Sequence, residues 1–137
     1  MSTILVNTLT GTSTAGSIAV TGEGNSTTTN LQQGLGKAWA NYSGSGTTFR
    51  DSFNCASATD NGAGDYTTTF TNAMNNDDYS FSVGIRLDSG ADPAYSVRGL
   101  EVKTPATGSI RFVCQVGAGG SSNDFDHTCP QIMGDLA

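Results

Sequence analysis

Few residues in this chain could do chemistry, and they are scattered. Asp124-Phe125-Asp126-His127-Thr128-Cys129 brings two carboxylates, the single histidine and one of the three cysteines together. A general base at His127 needs a proton donor within hydrogen-bond reach, and no sequence neighbour is placed to be its nucleophile. As metal ligands the set mixes hard carboxylate with soft thiolate at no familiar spacing. A solvated loop accounts for the same residues. Asp60-Asn61-Gly62-Ala63-Gly64-Asp65 has a faint calcium-loop look, but it lacks the alternating oxygen ligands and the closing Glu. Asp77, Asp78 and Asp88 could hold a cation at a loop tip, or be ordinary solvated carboxylates.

The glycines form no phosphate cradle. Neither G-x-x-x-x-G-K nor a strand–G-x-G-x-x-G–helix unit occurs, and Gly117-Ala118-Gly119-Gly120 has no helix pattern after it. Glycosidases need two carboxylates paired on a cleft, and nothing pairs any two of the aspartates here. The sequence therefore argues against an enzyme: no catalytic residue, no metal site and no cofactor is expected. Exposed Tyr and Asn near loops (Tyr42, Tyr95, Asn75, Asn76) could meet a sugar or a protein receptor, or be ordinary strand and loop residues. The receptor-binding residues are not legible.

The elements that must carry these residues are strands. The chain has 137 residues, 18 glycines and 13% charged residues. Abundant Gly and Thr with little charge suits short strands and tight turns. The net charge is −6 with six Lys and Arg, so no basic patch can neutralise phosphates and nucleic-acid binding is not expected. No segment approaches the ~20 apolar residues that span a bilayer, and residues 1–9 lack the basic start and long apolar run of a signal peptide. Three cysteines without a C-x-x-C pair read as small buried hydrophobes, with a Cys114–Cys129 bridge as the alternative.

Residues 1–36 contain one charge, Glu23, and none of the eleven aromatics. This reads as an N-terminal arm for docking or oligomerisation, with apolar bursts at residues 4–9 and 18–20, each of which could be a short strand. Ordering each residue costs roughly 1–2 kcal/mol of backbone entropy, so an arm of this kind needs a surface, on the body or on another subunit. Asn30 could cap one helical turn. Residues 37–137 read as a β-rich body organised around residues 37–70. That stretch holds Trp39, Phe49, Phe53 and Phe70, and it turns at Asp60-Asn61-Gly62-Ala63-Gly64-Asp65, with Asp60-Asn61-Gly62 as the strong turn signal.

Tyr79, Phe81, Val83, Ile85 and Leu87 alternate with polar or small residues, the mark of a half-buried strand. Further strands are expected at residues 95–102, at 110–116 and near the end at Ile132, Gly134 and Leu136. Turns are expected at residues 88–93 and at 104–108 through Pro105. Loops are expected at residues 22–30, 72–78 and 117–126. The spacing predicts an all-β antiparallel sandwich or irregular barrel. Trp39, Phe53, Phe70, Phe81, Val83, Ile85 and Phe112 are expected in the body core or between subunits.

Several stretches carry a resemblance. They are Met1-Ser2-Thr3-Ile4-Leu5-Val6-Asn7-Thr8, Lys37-Ala38-Trp39-Ala40-Asn41, Arg50-Asp51-Ser52-Phe53-Asn54, residues 59–67 (Thr-Asp-Asn-Gly-Ala-Gly-Asp-Tyr-Thr) and Gly134-Asp135-Leu136-Ala137. The chain resembles a family of short tail-fibre-like structural proteins of bacteriophages, many of them marine. It departs at residues 40–42, where a bulkier residue usually follows the Trp, and at residues 129–133.

The resemblance implies a non-enzymatic virion component, a fibre, fibre-tip or decoration subunit, commonly a homotrimer. It would be assembled in the host cytoplasm and released by lysis. Its partners would be other virion proteins through the arm and a host cell-surface glycan or protein, with no membrane insertion. Two roles follow as expectations: host attachment, or a capsid-decorating or tail-assembly subunit without a receptor.

Overall fold

A computed structural model describes residues 4–12, 18–21, 27–86, 97–116 and 121–137. The chain divides into two compact units, Met1–Leu35 and Gly36–Ala137.

In the first unit, β1 (Ala19–Thr21) and β2 (Thr28–Asn30) pair antiparallel. One helical turn follows, α1 (Leu31–Gly34), at the place where Asn30 offers a cap. The Leu31 amide donates to the Ile18 carbonyl at 2.7 Å. Residues 4–10 form no strand, and their side chains are exposed; the burst at Ile4, Leu5 and Val6 thus lacks the pairing expected of it. Residues 22–26 of the expected loop lie outside the described residues, and its end is β2.

The second unit is an antiparallel sandwich and not a closed barrel. One sheet contains β3 (Gly36–Tyr42), β4 (Phe49–Phe53), β7 (Ser80–Arg86) and β11 (His127–Met133), in the order β4-β3-β11-β7. The other contains β5 (Cys55–Gly62), β6 (Asp65–Phe70), β8 (Val97–Ala106), β9 (Ser109–Val116) and the short β10 (Ser121–Ser122). Here β9 lies beside β6, β6 beside β5, and both β8 and β10 pair with β9.

Alternation builds the core. Tyr42 from β3, Tyr66, Thr68 and Phe70 from β6, Ile110, Phe112 and Cys114 from β9, and Ile132 from β11 are buried between the sheets. Their rings meet edge-on or tilted: Tyr42 and Tyr66 at 5.9 Å, Tyr66 and Phe112 at 5.9 Å, Phe81 and Phe112 at 4.9 Å, a favoured geometry for aromatic pairs. Phe49, Phe81, Val83 and Ile85 pack half-buried against this cluster. The Thr128 hydroxyl, also inside, has no hydrogen-bond partner among the described residues.

Several expectations are corrected by this arrangement. Trp39 and Phe53 are not in the body core of the chain: Ala38, Ala40 and Tyr42 occupy the inward positions of β3, and period two turns Trp39 and its cross-strand partner Phe53 outward. The turn expected over residues 60–65 is shorter: Asp60, Asn61 and Gly62 belong to β5, Asp65 opens β6, and Ala63 and Gly64 make the turn between them. Gly64 has φ 69°, and a Cβ there would stand 2.5 Å from the Cys114 carbonyl oxygen, so only glycine fits. Pro105 does not end β8: it pairs with Ile110, and the turn comes at Thr107 and Gly108. An edge strand tolerates proline because its outward side needs no amide. The last strand begins at His127, earlier than the alternation suggested. Leu87, Tyr95, the turn at residues 88–93 and residues 117–120 lie outside the described residues.

Candidate functional site

The structure disperses the residues that looked chemical. Asp124 Oδ1 accepts the Gly64 amide at 3.1 Å and the Tyr66 hydroxyl at 3.3 Å, while the Phe125 amide donates to Tyr66 Oη at 3.2 Å. Asp124 therefore ties the β5–β6 turn to the segment before β11. Burial and the neighbouring Asp124 carboxylate both push the Tyr66 phenol above its ordinary range. His127 stands opposite Arg86, and Cys129 opposite Gly84, along β11. Among the described residues, no group of three or more His, Cys, Asp or Glu side chains could hold a metal ion.

The other acidic candidates are engaged locally. Asp60 Oδ1 accepts the Gly62 amide at 2.8 Å. Asp65 takes a two-pronged ion pair from Arg111, at 2.9 and 2.8 Å, which holds its carboxyl below the usual range. Asp77 and Asp78 are exposed beside Asn75 and Asn76; Asp88 lies outside the described residues. Tyr42, expected as an exposed contact residue, is fully buried instead, because it occupies an inward position of β3 and meets the Thr68 hydroxyl at 3.3 Å. All three cysteines are free thiols. Burial pushes Cys55 and Cys114 up to about 11, so neither is a ready nucleophile.

One surface does gather contact-forming groups, and the spacing of candidate catalytic residues gave no hint of it. On the outer face of the four-stranded sheet, Trp39 is 38% exposed, Phe53 51% and Met133 46%. Strand register puts Phe53 on one side of Trp39 and Gln131 on the other. Ser82 lies beyond Gln131 on β7. A groove of about 410 Å³ runs along Gly36, Ala38, Trp39, Gln131, Ile132 and Met133, within the size range of small-ligand sites. Its floor opens where the β3–β11 register shifts between Ile132 and Met133, a bulge of the kind that re-aims side chains. Along the same face Asn41 stands opposite Asp51, and Arg50 Nη1 donates to Asn41 Oδ1 at 3.2 Å. The signal for this face was the alternation Ala38-Trp39-Ala40, in which two small residues supply the inward positions beside the indole.

Two of the stretches that carry the resemblance, at Asn54 and at the C-terminal end, tie the body together. Asn54 has φ 54° between β4 and β5. Its amide donates to the Lys37 carbonyl at 3.0 Å and the Asn72 carbonyl at 3.1 Å, and its Oδ1 accepts the Asn72 amide at 2.7 Å. At the C-terminal end Met74 bridges to Leu136, and the Ala137 amide donates to the Ala73 carbonyl at 3.1 Å. Comparison with protein-family models, with curated proteins and with solved structures finds no match.

Proposed function

We propose that this chain is a non-enzymatic structural protein of a bacteriophage virion, a tail-fibre or fibre-tip subunit that takes part in host attachment. The reading rests on the resemblance at residues 1–8, 37–41, 50–54, 59–67 and 134–137. The single structural observation that supports it is the outer sheet face. A half-exposed indole and a half-exposed phenyl ring stand side by side there with Gln131 next to them. Exposed aromatic side chains with polar neighbours are the usual anchors of recognition surfaces. A carbohydrate ring or an apolar protein side chain on the host surface would meet that face. The test is retention of purified, labelled protein by susceptible cells; no retention over resistant cells contradicts the attachment role.

A second reading, a capsid-decorating or tail-assembly subunit without a receptor, is favoured by the first unit. Its Ile4, Leu5, Val6 and Leu9 are exposed, as suits a segment that docks on another virion protein or another copy. Deleting residues 1–36 then abolishes incorporation into particles. Unchanged incorporation contradicts this second reading.

A further inference from the structure

Among the described residues the sandwich has four long edge strands, and three are guarded. β4 carries Arg50 and Asp51 and sits against a register shift in its pairing with β3. β5 has two register shifts and Asp60. β8 has two register shifts, with Glu101, Lys103 and Pro105 along its length. Bulges, charges and proline are the devices that keep an edge from pairing with another chain. β7 has none of them along its middle. It pairs with β11 over seven residues without a shift, contains no proline, and carries one charge, Arg86, at its end. Among the described residues nothing pairs with its outer side.

A second observation falls at the same place. Leu100 and Val102 of β8 stand opposite Cys114 and Phe112 of β9, both fully buried. Register therefore points all four toward the other sheet. Yet Leu100 is 40% exposed and Val102 43%; among the described residues β7 is the last strand of the facing sheet, and its Phe81 meets Phe112 in a tilted contact at 4.9 Å. An added strand beside β7 would complete the ladder and cover Leu100 and Val102 together.

We propose that this seat takes residues 4–9 of a second copy of the chain, added as a strand to β7. Ile4 is 84% exposed, Leu5 90%, Val6 59% and Leu9 59%, and residues 4–10 form no strand of their own. The sequence from Met1 to Gly22 contains no charged side chain. It can enter an apolar seat without stranding a charge, on a chain whose net charge of −6 repels acidic segments. In strand addition the main chain supplies the affinity, and alternate side chains fill the pockets. Ile4 and Val6, two apart, would both face Leu100 and Val102. Each copy then offers one strand and one seat, a head-to-tail contact that closes into a ring when the rotation allows. The inference deepens the virion-subunit reading and rests on its premise that copies assemble.

The experiment is the mass of the full chain in solution by light scattering, for the native sequence, Val102→Lys, Leu100→Lys and the double variant Ile4→Asp with Val6→Asp. The native chain is expected as an oligomer. Each variant should weaken association at least tenfold, with the near-ultraviolet signal of the body unchanged. An oligomer that dissociates with the arm variant but not with either β8 variant overturns the seat and leaves assembly standing. A native chain that stays monomeric at all concentrations overturns both. Should a β8 variant misfold, oxidative cross-linking of Val6→Cys with Val102→Cys decides. Covalent multimers are expected; a cross-link closed within one chain, or none, overturns the proposal.

Discussion

Trp39 and Phe53 face each other across β3 and β4 on the outer side of the sandwich, and both remain substantially exposed. Their neighbours in the chain, Ala38 and Ala40, are buried. The two rings thus contribute little to the core and much to the surface. Phe53→Ala should lower unfolding free energy by less than about 1 kcal/mol, as for surface substitutions generally. Phe112→Ala, which empties a fully buried site, should cost roughly 3–5 kcal/mol. Urea unfolding of both variants checks the contrast, and equal losses would place Phe53 in the core after all.

Asn54 closes the corner between the two sheets. It combines a left-handed backbone with side-chain bonds to Lys37 and Asn72. Asn54→Gly keeps the backbone conformation and loses the bonds. Asn54→Ala loses both, so its destabilisation should exceed that of the glycine variant by about 1 kcal/mol. An alanine variant as stable as the glycine variant would show that the positive φ is not required.

The buried Thr128 hydroxyl has no partner among the described residues, and an unsatisfied buried polar group costs about 1–3 kcal/mol. Thr128→Val keeps the shape and removes the hydroxyl. The variant should melt at a higher temperature than the native chain, and a lower melting temperature would mean that the hydroxyl is satisfied in solution.

The Asp65–Arg111 pair sets an acid dependence. Hydrogen bonding to Arg111 lowers the Asp65 pKa in the folded chain. Its contribution is therefore fully present above the unfolded value of about 3.9 and is lost as pH falls through the lower, folded one. The Arg111 side chain is 44% exposed, so screening keeps the effect small. Melting curves of the native chain and Asp65→Asn should differ at pH 6 and draw together only as pH falls below about 4, through the lowered folded value. A gap that widens on acidification would contradict the assignment.

Much of the sandwich was legible because alternation and turns are local. Tyr79 through Ile85 showed their alternation directly, while the turn expected over residues 104–108 through Pro105 comes only at Thr107 and Gly108. The turn expected over residues 60–65 is narrower than its composition suggested, and it centres on Gly64, whose tight approach to the Cys114 carbonyl is invisible in sequence. Size suggested a place for Trp39 in the core or between subunits, and parity with Tyr42 turns it out of the core of its own chain. The aromatic face was hidden for the same reason: Phe53, Gln131 and Met133 come beside Trp39 only through pairing of strands distant in sequence.

The attachment role is tested most directly by the binding of labelled full-length protein to susceptible cells, compared with Trp39→Ala. The native chain should be retained, and the variant should bind at least tenfold more weakly with its melting temperature little changed. Undiminished binding by a folded Trp39→Ala protein would contradict the role given to this face, and no binding by the native chain would contradict attachment itself.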